Sequence, residues 1–212
     1  MSVVVFIPAR YASTRYPGKP LVELTGATGE KKTLIQRAWE AAQAVSGVTN
    51  VYVLTDDDRI ADAAKAFGAE VLMTSSNARN GSERCAEGLA QLDSDPDVVI
   101  NLQGDAPLTP AWFVEALIGA MNGITQMATP VVKCDAETLT NFVADRREGR
   151  VGGTTAVMRS DRTALYFSKE VLPYVGDLQN PPEVWHHVGV YAYTPAALRA
   201  YAGWEEGPLE RA

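Results

Sequence analysis

The strongest constraint on the fold is an alternation that fills the first half of the chain. Residues 3–7 (VVVFI) are an unbroken apolar, largely β-branched run, the pattern of a strand buried on both faces. Residues 34–45 (LIQRAWEAAQAV) then carry helical periodicity, with Gly47 as a stop signal. Residues 51–55 read as a second strand, and 59–67 as a short helix ended by Gly68. A third strand at 70–73, a helix at 84–92 and a fourth strand at 97–102 continue the series. Thr109 has the chemistry of an N-cap, with Pro110 at the first helical position of a helix through Met121. Strands alternating with helices predict an α/β fold with a doubly wound, mainly parallel sheet. Such sheets hold ligands beyond the carboxyl ends of their strands. The loops after Ile7, Met73 and Leu102 are therefore the places to search.

The second half is less regular. Residues 128–132 and 154–158 read as strands, 165–172 (LYFSKEVL) fits strand or helix, 184–193 reads as one strand and 195–202 as a short helix. No repeat, low-complexity segment or clean linker divides the chain, so the expectation is one domain over 1–212 with an elaborated second half.

Composition narrows the function. The 212 residues are 46% hydrophobic with a net charge of −7, which argues against general nucleic-acid binding but leaves room for a local anion site. Two cysteines, Cys85 and Cys134, suggest no disulfide framework and fit a reducing cytoplasm. The N-terminus lacks the pattern of a signal peptide, and no apolar run nears the roughly 20 residues of a membrane span.

Against that acidic background, residues 7–20 (IPARYASTRYPGKP) carry Arg10, Arg15 and Lys19, with no acid before Glu23. Backbone N–H groups after a buried strand, the Ser13 and Thr14 hydroxyls and three cations are the parts of a polyphosphate cradle. The other reading is a solvated surface loop. The stretch matches neither a P-loop nor a dinucleotide fingerprint.

Three further stretches carry two readings each. In residues 101–107 (NLQGDAP), Asp105 suits Mg²⁺, which takes one or two carboxylates plus substrate phosphates, or it caps its own turn. In residues 79–84 (RNGSER), Ser82 is an N-cap, and either the helix is simply capped or its N-terminus and Arg84 lie near an anion. In residues 186–193 (HHVGVYAY), alternation puts His187, Gly189, Tyr191 and Tyr193 on one face, either a ligand face or an ordinary half-exposed strand.

Two signals are weaker. Asp56, Asp57 and Asp58 look like a metal cluster but suit the end of a strand and the opening of a helix, where acids favour the positive dipole end. Residues 146–155 (RREGRVGGTT) offer Arg146, Arg147 or Arg150 to a carboxylate, or form a surface loop, the preferred reading.

The pattern P-A-R-x-x-S-T-R-x-P-G-K-P-L, from Pro8 to Leu21, closely resembles the sugar nucleotidyltransferases. It is most similar to the cytidylyltransferases that activate 3-deoxy-manno-octulosonate (Kdo), the CMP-Kdo synthetases. The resemblance implies a Rossmann-like fold and transfer of CMP from CTP to a sugar acid, with release of pyrophosphate. It places Pro8, Ala9, Arg10, Ser13, Thr14, Arg15 and Lys19 around the triphosphate, with Arg10, Lys19 and Asp105 as the catalytic set. "QGD" followed by a proline is similar to the family's metal-binding loop, which makes Asp105 the Mg²⁺ ligand and puts Gln103 on nucleotide or sugar. Gly81, Ser82 and Arg84 fall near the nucleotide, and His187 and Tyr191 face the sugar acid. "ALYFSK" (164–169) lies in a region linked to sugar-acid binding and dimer contacts, with Lys169 where an arginine is common.

"GPLERA" (207–212) resembles the family's "PLE", so Glu210 borders the sugar pocket by this carry-over. Family members continue for several tens of residues, including a late metal-binding aspartate, and the expectation is a chain that lacks this segment. The resemblance also implies a cytoplasmic homodimer in lipopolysaccharide biosynthesis. The alternatives are the same chemistry on another sugar acid, such as a sialic-acid-like one, a nucleotidyltransferase using a sugar phosphate or a different base, or a nucleotide-binding protein without catalysis.

Overall fold

The computed structural model describes residues 1–12 and 16–208. The chain opens with β1 (Val3–Pro8), a 3-10 turn (Lys19–Leu21), β2 (Glu23–Thr25), β3 (Lys31–Thr33) and α1 (Leu34–Gln43). It continues through β4 (Asn50–Thr55), α2 (Asp58–Ala66), β5 (Glu70–Met73), α3 (Gly81–Leu89), β6 (Val98–Leu102), α4 (Ala111–Ala120) and β7 (Met127–Ala128). Then come β8 (Val131–Lys133), α5 (Ala136–Arg147), β9 (Thr155–Met158), β10 (Ala164–Ser168), β11 (Trp185–His187), β12 (Val190–Tyr193) and α6 (Pro195–Ala202). The sequence reads as one domain with an elaborated second half. In the structure, that elaboration is a compact unit of its own, Thr129–Gly189, and the rest of the chain forms the other unit.

The first unit holds the expected α/β sheet. Its order is β5-β4-β1-β6-β12-β7. β1 runs parallel to both β4 and β6, and β4 to β5, while β12 and β7 join antiparallel. From β1 the chain winds outward through β4 and β5, then returns to place β6 on the other side of β1. That reversal is the topological switch point at which doubly wound sheets bind ligands. The apolar runs are explained by burial. Val3, Val5, Phe6 and Ile7 of β1 have no exposed surface, and all five residues of β6 are buried. α1 buries Leu34, Ile35, Ala38 and Ala42, a stripe at helical spacing. Beneath the sheet, Phe6, Leu54, Cys85, Leu89, Val99, Tyr193 and Leu198 pack into one cluster. A large side chain buried in this way contributes about 1.5–3 kcal/mol.

The second unit is a four-stranded antiparallel sheet, order β10-β9-β11-β8, with α5. Residues 165–172, which fit strand or helix, supply the edge strand β10.

Three expectations are corrected and one helix is added. The strand expected at 128–132 is two strands, β7 and β8, in different sheets, with Thr129 and Pro130 between them. The strand expected at 184–193 is likewise broken, at Val188 and Gly189, into β11 and β12. Both breaks fall where the chain passes between units, and apolar alternation carries no information on which sheet a strand joins. The helix expected from Thr109 starts later: Pro110 is the cap residue without a side-chain cap, and the Thr109 hydroxyl donates instead to the Ala106 carbonyl at 3.0 Å. Finally, α5 has no counterpart in the sequence reading. It buries only Leu139, so its apolar periodicity is weak. Its ends hold it: Asp135 accepts from Thr138 N at 2.7 Å, and Arg146 and Arg147 sit in the last turn, where cations suit the helix dipole.

Candidate active site

The site is built where β1 and β6 end. Past Pro8, Ala9 continues the β1 ladder by donating its N–H to Leu54 O at 2.8 Å, and Arg10 is exposed. The loop then closes on itself, because Gly18 N donates to Tyr11 O at 2.9 Å. Gly18 has φ 73, a left-handed conformation that favours glycine, and a Cβ there would lie 3.1 Å from the Tyr11 ring. The Arg59 guanidinium also lies over that ring, 3.3 Å from its centroid, itself held by Asp57 at 2.9 and 2.7 Å. Tyr11 at the neck of the loop is thus held by both Gly18 and Arg59. Ser13, Thr14 and Arg15 lie outside the described residues, as does Glu210.

Lys19 emerges from this neck and reaches the β6 loop. Its Nζ donates to Asp105 Oδ2 at 2.6 Å, with both side chains about half exposed. The expected cation and the expected metal ligand, 86 positions apart in sequence, therefore meet at the switch point. Gly81, the first residue of α3, joins them: a Cβ at Gly81 would lie 3.2 Å from Pro8 Cγ and 3.4 Å from Gln103 Nε2. Pro8, Lys19, Gly81, Gln103 and Asp105 are accordingly brought together by the ends of two adjacent parallel strands and the start of one helix.

Ser82 and Arg84 are placed differently from expectation. Asn80, not Ser82, caps α3, accepting from Glu83 N at 3.0 Å, while Glu83 accepts from Arg79 N at 2.8 Å. The N-x-x-E spacing was the available signal. Ser82 lies inside the first turn with its hydroxyl 3.0 Å from Tyr193 Oη. Arg84 is 3% exposed; its guanidinium pairs with Asp56 at 3.2 Å and donates to Thr74 Oγ1, so it braces strand ends from within. Asp56 is committed to that pair, and Asp57 caps α2 by accepting from Arg59 N at 3.0 Å. The Arg59 side chain holds the Asp57 carboxyl below its ordinary range.

In the second unit, the His187 ring lies 2.9 Å from Thr129 Oγ1 through Nε2. Thr129 Oγ1 also lies 3.2 Å from Val188 O, so its hydroxyl stands between that carbonyl and the imidazole. His187 meets Phe167 edge-on at 5.1 Å, and His186 meets Phe142 edge-on at 5.0 Å. Burial pulls both imidazoles below their ordinary pKa, and for His187 the charges of His186 and Lys169 add to it. Tyr191 belongs to β12 of the first unit, so the face expected to run from His187 to Tyr191 is not one strand face. Burial raises the Tyr191 phenol.

Lys169 donates to Thr154 Oγ1 at 2.8 Å. Residues 146 and 147 belong to α5 rather than to a loop. Arg146 donates to the carbonyls of Lys169 and Arg150, Arg150 pairs with Asp145 and Glu148, and Arg147 is exposed.

Asn101 stands in the candidate stretch 101–107 and Tyr193 on the candidate face of 186–193, but neither was given a role; Asn101 is fully buried in β6 and Tyr193 almost fully buried in β12. A polar residue inside the apolar run VVINL was the signal, since buried amides need partners.

The profile of the family described as Cytidylyltransferase matches residues 4–212. The 3-deoxy-manno-octulosonate cytidylyltransferase of Maricaulis maris is 42% identical, covering 99% of this chain and 80% of that protein. The 8-amino-3,8-dideoxy-manno-octulosonate cytidylyltransferase of Shewanella frigidimarina is 40% identical, over 99% of this chain and 82% of that one. Among solved structures, a CMP:2-keto-3-deoxy-manno-octonic acid synthetase complexed with CTP superposes with a TM-score of 0.85 at 33% identity, over 100% of this chain and 81% of that chain. With a strand-end crevice that unites Lys19, Gln103 and Asp105, and a family match spanning nearly every residue, the chain belongs to the cytidylyltransferases, a family of nucleotidyltransferase enzymes.

Proposed function

We propose that the chain transfers CMP from CTP to Kdo, releasing pyrophosphate, as a step of lipopolysaccharide biosynthesis. The observation that carries this reading is the Lys19–Asp105 pair at the switch point of a chain 42% identical to a Kdo cytidylyltransferase. In the reaction, the sugar acid's anomeric hydroxyl attacks the α-phosphorus, and the bond to the bridging oxygen of pyrophosphate breaks. Negative charge grows on that leaving group. Arg10 and Lys19 are exposed cations placed to meet it, with Arg15, Ser13 and Thr14 assigned to the same task by resemblance. Engaging the nucleotide frees Lys19 from Asp105, so one event readies both groups.

Mg²⁺ fits this carboxylate. The described residues contain no group of three or more His, Cys, Asp or Glu able to hold a metal, so a cation on Asp105 would complete its shell with phosphate oxygens and water. When bound, Mg²⁺ supplies charge neutralisation at the phosphates. Asp105 holds and orients; Lys19 counters charge.

The test is pyrophosphate release from CTP across a panel of sugar acids, with and without EDTA. Release with Kdo, abolished by EDTA and restored by Mg²⁺, is the expected result. Tight CTP binding without release from any acid would establish a binding protein instead. The panel includes the 8-amino acid, because a 40% identical relative is named for it.

The homodimer is part of the same proposal. The sheet edge β10 exposes Leu165 and Tyr166, an apolar edge that a second copy would cover. Sedimentation at micromolar concentration should give twice the monomer mass. No helix among the described residues is long and apolar enough to cross a membrane, and free Cys85 and Cys134 support a cytoplasmic location.

A further inference from the structure

A chain of hydrogen bonds runs from the interior of the first unit to the crevice. Tyr193 Oη lies 3.0 Å from Ser82 Oγ. Asn101 Nδ2 donates to Ser82 Oγ at 3.3 Å, and Gln103 Nε2 donates to Asn101 Oδ1 at 2.9 Å. Asn101 is fully buried and Tyr193 4% exposed, while Gln103 is half-buried at the strand end. The links join β12, the first turn of α3, Asn101 of β6 and Gln103 just past the end of that strand. Burial raises the Tyr193 phenol, so it remains a neutral hydroxyl able to serve as the inner terminus.

The order of donors and acceptors has a consequence. An amide carries one acceptor oxygen and one donor nitrogen, on opposite prongs. Gln103 uses its nitrogen inward, on Asn101. Its Oε1 has no hydrogen-bond partner among the described residues. We propose that Asn101, Ser82 and Tyr193 are positioning residues that lock the Gln103 amide with its carbonyl oxygen toward the crevice. An oxygen acceptor so fixed takes a hydroxyl or an amino group. It repels phosphate and carboxylate, which have no proton to give. Gln103 is thereby assigned to a hydroxyl- or amine-bearing part of a substrate, and the anionic parts fall to Arg10 and Lys19. This assignment of substrate parts rests on the cytidylyltransferase reading; the orientation of the amide does not.

The test separates the two. In ¹⁵N-labelled protein, the Gln103 side-chain amide is identified by its loss in Gln103→Glu. Its inward proton should exchange with solvent at least about tenfold more slowly than those of exposed glutamines. Asn101→Leu should abolish that protection and lower kcat/KM for the sugar acid about tenfold, the scale of one hydrogen bond, with the CTP dissociation constant changed less than about twofold if the partner is a sugar hydroxyl. If CTP binding weakens about tenfold instead, the cytosine amine is the partner, and the locked acceptor still stands. Tyr193→Phe keeps the ring and removes only the terminus, so it should give an intermediate, roughly two- to threefold loss in both readouts even if Asn101→Leu does not fold. Equal exchange of Gln103 and exposed glutamines in the unmodified protein would overturn the proposal, as would full protection in Tyr193→Phe. Unchanged binding and turnover in a folded Asn101→Leu that has lost the protection would also overturn it. Protection together with an enzyme that releases no pyrophosphate would sink the functional reading and leave the orientation standing.

Discussion

The two units treat charge in opposite ways. At the crevice of the first, Arg10 is exposed and Lys19 and Asp105 meet half exposed across two loops, an arrangement a polyanion can open. In the second, Arg146 is held by backbone carbonyls, Arg150 by Asp145 and Glu148, and Lys133 by Glu183. What the second unit adds is two partly buried imidazoles edge-on to phenyl rings, with burial disfavouring their charged forms. The difference follows from architecture. A switch point between parallel strands aims backbone and side chains at one place, whereas Arg146, Arg150 and Lys133 are met by neighbours in their own unit. On the proposed function, phosphate chemistry falls to the first unit. Within that unit the same logic divides its cations, since Arg84 is buried on Asp56 and Lys19 is not.

Arg84→Ala gives the largest expected effect on stability. It leaves the largely buried Asp56 carboxylate without its partner, which costs about 3–5 kcal/mol. Denaturant unfolding should show that loss, with turnover per folded molecule little changed. Equal stability with lost CTP binding would return Arg84 to the anion site and erase the distinction from Lys19. The converse variants are Asp105→Asn, expected to lose at least about 100-fold in turnover, and Lys19→Ala, expected to lose more than about tenfold. Both side chains are half exposed, so melting temperatures should hardly move. Near-normal pyrophosphate release from Lys19→Ala would remove its assigned role.

Why some of this was legible in sequence is a matter of range. The runs VVVFI and VVINL announce strands buried on both faces because burial dictates residue type position by position. The cations of residues 7–20 and the Asp105 turn announce a site because their types are unusual for loops of an acidic chain. Their meeting is a property of strand order, which no local pattern carries. The same blindness merged β7 with β8 and β11 with β12. Arg84 misled for a related reason: a guanidinium after a helix start looks alike whether it points to a ligand or to an aspartate 28 positions earlier. Helix α5 was missed because capping and terminal charge hold it, rather than a buried stripe.

A smaller effect tests whether the second unit is as tightly closed as its pairing suggests. Gly153 sits where a Cβ would fall 2.5 Å from Phe142 Cζ and 3.1 Å from His186 Nε2. Gly153→Ala must push the Phe142–His186 pair apart, at about 1–3 kcal/mol for an overpacked contact. Calorimetry should register the loss. An unchanged melting temperature would mean that this packing yields freely and that the second unit is less tightly closed than its pairing suggests.

The smallest expected effect concerns the imidazoles themselves. His186 and His187 have folded-state pKa values below the ordinary value of about 6.5 that they regain on unfolding. Between the folded and unfolded values the unfolded chain binds more protons, so stability rises with pH there. Above about pH 6.5 this contribution is complete and flat. It is lost as pH falls from there toward the lower folded values, and below those it levels off. Both rings are only partly buried, so water screens the effect, and less than about 1 kcal/mol is expected between pH 7.5 and 5.5. His187→Gln removes one titrating group while keeping a polar partner for Thr129, so its urea midpoint should fall less over that interval than the unmodified protein's. Identical falls would show that His187 titrates normally. The second unit would then carry a protonatable, solvent-facing imidazole, and the division between a charged crevice and a unit whose burial disfavours charged imidazoles would fail at its most sensitive point.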